Sequence, residues 1–389
     1  MSRILFWLIP VVVASGSGIV FHLFPGKACR ENAVCRQAEA SEWLRSAEKG
    51  DARAQFELGQ DYAKGDGVEK DMEKSFFWIR QAAEQGYPAA QYSLAYCYRS
   101  GTGVPADGTK AVEWCRKAAE QGDSQAQYTL GTCYLHGDGV SVDRATAVEW
   151  LRKAAEGDHP VAARAQYDLG SLYFRGWGVN KDADEGMRWM VKSANSGCAM
   201  AQDALGLMYF TGDGVERDFS KGFSWFLKAA EQGFASAQHH LGYCYMTGKG
   251  VKRNGEQGAA WYLQAAEQGY ADAQGDFALA CEKGDGVEKN MRKAAEWYRR
   301  AAEQGHASSQ NSLGLCFLHG KGVPRDQGEA FKWFLKAAEQ GDPLACNNVA
   351  FCYFMGYGVE GDDEKGRAWA RKAEERAPAV SGASGCELD

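Results

Sequence analysis

Ten tryptophans stand in register along the chain: Trp43, Trp78, Trp114, Trp150, Trp189, Trp225, Trp261, Trp297, Trp333 and Trp369. Successive spacings are 35, 36, 36 and 39 residues, then 36 five times. A fixed period of this length marks a repeat array, in which each unit buries its apolar face on its neighbours. The 389 residues would otherwise suggest two or three globular domains at roughly 100–200 residues each. The period replaces that count. Full units begin at Asp51, Tyr87, Asp123, His159, Cys198, Phe234, Tyr270, His306 and Asp342. A half-unit, Ala40–Gly50, precedes them, and the array fills 40–377. The unit from His159 carries three extra residues near Pro160–Ala163.

Each unit reads as two helices. In the third, Gln127, Leu130, Gly131 and Tyr134 fall at i, i+3, i+4 and i+7, one face of a helix. Gly137-Asp138-Gly139-Val140 then breaks the pattern with residues free to take positive φ. Asp143 follows, with Asp71, Asp107, Asp182, Asp218, Asn254, Asn290, Asp326 and Asp362 as its equivalents. A short acceptor side chain at that point predicts an N-cap. The second helix carries Ala147, Trp150, Ala154 and Ala155 inward, and most copies end in a glycine such as Gly86, Gly122 or Gly233, suited to a left-handed cap. Gly131 costs about 1 kcal/mol of helix propensity against Ala, yet a small residue recurs there as Gly59, Gly170, Gly206, Gly242 and Gly314. That predicts close helix–helix contact, with the tryptophans buried between helices. The fold class is all-α, a right-handed α-solenoid of about nine 36-residue helix-turn-helix repeats.

The pattern A-x-Q-x-x-L-G-x-x-Y-x-x-G-x-G-V-x-x-D, closing on W-x-x-K-A-A-E-Q-G, resembles the Sel1-like repeat family across all nine units. The related tetratricopeptide repeat runs about 34 residues and lacks the G-x-G-V loop. Copies decay in places: Phe277, Ala278 and Cys281 replace Leu, Gly and Tyr in the seventh, and Cys346 replaces Gln in the ninth. The resemblance implies an adaptor that assembles protein complexes, often at a membrane or cell envelope.

The N-terminus is a separate object. Ile4 to Phe24 contains no charged residue, and about 20 apolar residues span a bilayer. Residues 1–25 therefore read as a membrane anchor, or as a cleaved signal peptide with Ile4–Val13 as its apolar core and Ala14-Ser15-Gly16 as its cleavage site. Residues 26–39 form a linker and 378–389 a flexible tail. Both readings place the repeats outside the cytoplasm, anchored or exported. Cys29 and Cys35 flank a short polar segment past the apolar run and can pair in an oxidising compartment. Cys97, Cys133, Cys244, Cys316 and Cys352 share one repeat position. Neighbouring helices sit about 8–10 Å apart, beyond the Cα separation of about 7 Å that a disulfide tolerates, so these read as buried small hydrophobes.

A net charge of −7 argues against nucleic acid, whose partners present a basic face. The seven histidines form no metal motif, and no cofactor motif is present. Ser46-Ala47-Glu48-Lys49 matches S-x-x-K, but neither S-D-N nor K-T-G accompanies it. The expectation is no enzymatic activity; the alternative is a cell-envelope enzyme or ligand-binding protein acting on peptidoglycan or β-lactam-like compounds. Lys117, Lys153, Lys228 and Lys336, each three residues before a glutamate, read as a solvated face. Solenoids bind partners on an extended face lined by one helix of each pair. Candidate contacts for a protein or peptide are Tyr92, Tyr128 and Tyr167, one residue past the aligned glutamine, with Arg99, Phe174 and Phe210, one residue past the aligned tyrosine. The same position turns polar from Asp203 onward, which places the partner on the N-terminal half. Trp177, inside a glycine loop, is a further candidate.

Overall fold

A computed structural model describes residues 33–376. The segment Ile4–Phe24, Cys29 and the tail from 378 lie outside the described residues, and of Cys35 only the helical backbone is described. Every element among the described residues is a helix, and none of these helices is long and apolar enough to cross a membrane. The half-unit is α1 (Ala33–Glu48). The repeats follow as α2 (Ala52–Lys64) with α3 (Met72–Glu84), α4 (Pro88–Ser100) with α5 (Gly108–Glu120), and α6 (Ser124–His136) with α7 (Arg144–Glu156). Next come α8 (Val161–Arg175) with α9 (Ala183–Asn195), α10 (Ala199–Thr211) with α11 (Phe219–Glu231), and α12 (Ala235–Thr247) with α13 (Gly255–Glu267). Last are α14 (Ala271–Lys283) with α15 (Met291–Glu303), α16 (Ala307–His319) with α17 (Gln327–Glu339), and α18 (Pro343–Met355) with α19 (Asp363–Arg376). Two compact units divide the chain: residues up to Ala126 with Asp138–Val140, and Gln127–Gly137 with Ser141 onward.

The capping chemistry follows the sequence pattern. Asp71 accepts from the Lys74 amide at 2.9 Å and Asp218 from Lys221 at 3.0 Å, each satisfying one orphan donor of a helix start. At the other end of α3, the Gly86 amide donates to Ala83 and the Tyr87 amide to Ala82, the paired bonds of a Schellman cap. Gly86 has φ 90°. The loop glycines have two different tasks. Gly248 ends α12 in the left-handed region, its amide on the Cys244 carbonyl. Gly250 lies so close to the Phe219 carbonyl, at the start of the preceding repeat's second helix, that any Cβ would collide with it.

The small residue of the first helix makes the predicted close approach. A Cβ on Gly59 would sit 2.7 Å from Ile79 Cγ1, and one on Gly242 2.5 Å from Tyr262 Cδ1. The residue packed there is the one after the tryptophan: Ile79, Leu151, Met190, Phe226, Tyr262 and Phe334, each nearly inaccessible. This corrects the expected role of the tryptophans. Most are half-buried and only Trp297, at 7% exposure, is fully enclosed. The outer indole face is covered from within the same helix: Lys117 Nζ lies 3.7 Å from the Trp114 ring centre, Lys153 4.0 Å from Trp150 and Lys228 4.1 Å from Trp225. The lysine row is thus held by cation–π contact with its long stem on the ring. The five cysteines of the shared position are buried, and burial pushes the thiol of Cys244 up to about 12 and that of Cys316 to about 11.

Candidate functional site

The first helices carry the face a partner could use, and the aligned glutamine holds each of them in place. In the sixth repeat Gln238 Nε2 donates to the Ala230 carbonyl at 3.3 Å, at the end of the previous second helix. Its Oε1 accepts from Gln268 Nε2 at 2.7 Å, at the end of its own second helix. The same carboxamide pair recurs as Gln85 on Gln55, Gln121 on Gln91, Gln232 on Gln202, Gln304 on Gln274 and Gln340 on Gln310, each at 2.7 Å. Each of these six first helices is therefore tied to the helix ends on either side of it. Buried amides are satisfied in a chain, as burial demands.

The position after that glutamine faces the neighbouring first helix. Tyr128 donates from its hydroxyl to Asp168 at 2.9 Å. Asp203 accepts from Ser236 at 2.9 Å and lies 2.8 Å from His240 Nδ1. His239 lies 2.8 Å from Asp276, and Asn311 accepts from Asn348 at 2.7 Å. Burial raises the Asp168 carboxyl above the ordinary carboxylate range, and burial with the neighbouring Asp168 raises the Tyr128 hydroxyl. Asp203 and Asn311 are 6% and 7% exposed, so the change to polar residues from Asp203 onward has a structural cause: it exchanges aromatic packing for a polar rail between adjacent first helices.

The remaining candidates occupy different surroundings. Tyr92 is half-buried, as is Tyr128, which packs on the cluster of Leu151 and Leu169. Tyr167 and Phe174 pack on Met190 and Leu205, while Phe210 meets Phe219 at 4.8 Å, Phe226 at 5.9 Å and Tyr243 at 6.0 Å between ring centres. Arg99 is exposed with its guanidinium 5.8 Å from the Tyr96 ring. Trp177 is 39% exposed between two guanidinium groups, Arg144 at 4.7 Å and Arg175 at 4.8 Å.

An exposed apolar stripe lies at a position the sequence pattern did not single out, five residues after the aligned glutamine. In the second unit it comprises Leu207, Tyr243, Leu279 and Phe351 on α10, α12, α14 and α18, with Leu315 of α16 half-buried at the same position. Leu207, Tyr243 and Leu279 are 37–38% exposed. The first unit carries Tyr96 at this position. Lys249 Nζ donates to the Tyr243 hydroxyl at 3.0 Å, giving the stripe a basic edge. Its residues sit between the invariant small residue and the aligned aromatic, four after the rail position and hence on its side of the helix. That offset was the available signal. The polar Gln60, Thr132 and Ser171 at the same position in other repeats obscured it. Among the described residues no group of histidine, cysteine and carboxylate side chains could hold a metal ion.

The Sel1 repeat family model matches nine times, from 52–87 through 343–377, and the chain belongs to the Sel1 repeat family. Among solved structures it is similar to c5321, a protective antigen present in uropathogenic Escherichia coli strains that displays an SLR fold. That likeness has 35% identity and a TM-score of 0.67, covering 86% of this chain and 79% of that one. It is also similar to a Sel1 repeat protein from Oxalobacter formigenes, at 35% identity and TM-score 0.58, covering 78% and 86%. No curated protein sequence matches the chain. Solenoids of this kind are typically interaction scaffolds.

Proposed function

We propose that this chain is a protein-interaction scaffold, without catalytic chemistry of its own, that holds a protein or peptide against the face of its first helices. The recurrence of exposed apolar side chains at one repeat position, Leu207, Tyr243, Leu279 and Phe351, carries this reading. Soluble proteins seldom leave aligned apolar groups in water unless a partner covers them. Phe210 and Lys249 border the stripe at Tyr243, and the Arg144–Trp177–Arg175 stack offers the aromatic and arginine anchors in which binding energy concentrates. The apolar run Ile4–Phe24 supports tethering or export of the scaffold.

The test replaces Leu207, Tyr243 and Leu279 together by Ser. Affinity capture from an extract, quantified by mass spectrometry, should recover a partner with the wild type and lose it with the triple variant. Circular dichroism should show an unchanged helical spectrum, because all three side chains are partly outside the core. Equal recovery by both proteins refutes the stripe. The corresponding substitutions of Tyr92, Tyr128 and Tyr167, or of Trp177 alone, then locate the partner elsewhere.

A further inference from the structure

The donating glutamine is missing from the third repeat, where Gly157 holds its place, and from the fourth. Thirty residues after Gln166, where six other repeats place the donating glutamine, stands Ser196. Gln166 is 4% exposed and its Nε2 donates to the Ala155 carbonyl at 2.9 Å. Its Oε1 is buried with no hydrogen-bond partner among the described residues. A serine is too short to reach that oxygen. The three inserted residues lengthen the start of α8, whose N-cap position is Pro160, a residue with no side-chain acceptor. A cavity of about 410 Å³ opens here, lined by Gln166 and Ser196 with Glu156, Asp158, His159 and Lys192 around them.

The other repeats show what this slot accepts. In six of them it holds a carboxamide that donates from Nε2 to the aligned glutamine. In the ninth, the same position is Arg376, whose Nη1 donates to the Ala338 carbonyl at 3.0 Å and lies 3.9 Å from Cys346 Sγ. Both occupants are planar N–H donors on a flexible stem. In the fourth repeat the field favours the charged one. The carboxyl-terminal ends of α7 and α9 both bear on the cavity, and helix C-termini attract cations. Glu156 and Asp158 add two carboxylates. Against them stands Lys192, whose ammonium sits 4.9 Å from the Trp189 ring centre. His159 accepts the Val161 amide at Nδ1, 3.2 Å away.

We propose that this junction is a binding site for a guanidinium group, the side chain of a peptide-borne arginine, which donates to Gln166 Oε1 and takes the place that Gln268 or Arg376 fills from within the chain elsewhere. Carboxylates, two helix C-termini and a buried orphan acceptor together match the geometry and charge of guanidinium. The site is independent of the apolar stripe, and its failure leaves that reading untouched.

The experiment titrates the full chain, labelled with ¹⁵N-glutamine, with N-acetylargininamide, using N-acetylnorleucinamide as the control. The carboxamide signal of Gln166, identified by its loss in Gln166→Met, should shift saturably with the arginine derivative alone. Ser196→Gln should abolish the shift, because the chain then supplies its own carboxamide, and should raise the unfolding midpoint. Glu156→Gln with Asp158→Asn should weaken binding several-fold in an otherwise unchanged fold. Absence of a saturable shift overturns the proposal. So does an equal shift with norleucinamide, binding retained by Ser196→Gln, or affinity unaffected by loss of the two carboxylates.

Discussion

The contact between Gly206 and Phe226 allows a sharp test of how each repeat is held together. Phe226 is 1% exposed, and truncating a fully enclosed aromatic costs about 3–5 kcal/mol. A Cβ on Gly206 would fall inside contact distance of the ring, 3.1 Å even from Cγ. Gly206→Ala alone therefore adds about 1–3 kcal/mol of overpacking against a gain of about 1 kcal/mol in helix propensity. In a Phe226→Ala background the clash disappears and only the gain remains, so the same change should stabilise by about 1 kcal/mol. The two substitutions should then show a favourable coupling of about 1–3 kcal/mol. Urea denaturation of all four proteins, followed by far-ultraviolet circular dichroism, measures it. Slopes must be compared as well as midpoints, since repeat arrays lose two-state behaviour readily. Trp225→Ala provides the contrast. Its indole is half-buried under Lys228, and its loss should cost about 2 kcal/mol, less than Phe226→Ala despite the larger side chain. Additivity within about 0.5 kcal/mol, or a tryptophan effect exceeding that of Phe226, would refute the assignment of the core to the residue after the tryptophan.

Two further outcomes follow from the polar interior. Gln238→Ala strands the Ala230 carbonyl and the Gln268 amide, and should lower stability by about 1–3 kcal/mol in the same denaturation assay. The Asp61 carboxyl is pushed from 3.8 to about 6 by burial and by neighbouring Asp66 and Glu57; the folded state then holds its proton more tightly than the unfolded one, so stability falls as pH rises from about 4 to 6. Asp61→Asn should flatten that decline and stabilise the protein at pH 7 by about 1 kcal/mol, discounted from about 3 kcal/mol because the group is partly exposed; an unaltered pH profile refutes it.

The repeat boundaries, both helices, the N-caps and the small residue of each first helix were legible because each is set by local chemistry within one period. What was hidden depends on the neighbour. A helical face at i, i+3, i+4 and i+7 identifies the side turned to the partner helix of the same repeat, but a stacked helix has a second buried side. That is why Tyr128, Asp203 and Asn311, one residue past the core stripe, face an adjacent first helix. The truly exposed position lay four residues further on. The tryptophan register misled in a different way, since the most regular residue is half-buried and the variable one beside it fills the core. The chain itself carries the compensation: Gly59, Gly131 and Gly206 stand opposite Ile79, Leu151 and Phe226, whereas Ala95 stands twenty residues before the smaller Cys115. The glutamine chain was missed because nothing in the spacing of Gln238 and Gln268 says that their side chains meet.

The glycine of each loop that crowds the start of the preceding second helix bears on how the protein emerges from the ribosome. Gly250 closes over the Phe219 end of α11 from 31 residues downstream, so a repeat is covered only when the loop of its successor has been made. Each repeat docks on one already folded, and none has to wait for a segment far along the chain. A growing polypeptide of this design leaves about one repeat uncovered at any moment, however many units are appended, which keeps exposed apolar surface small during the interval when aggregation is most dangerous.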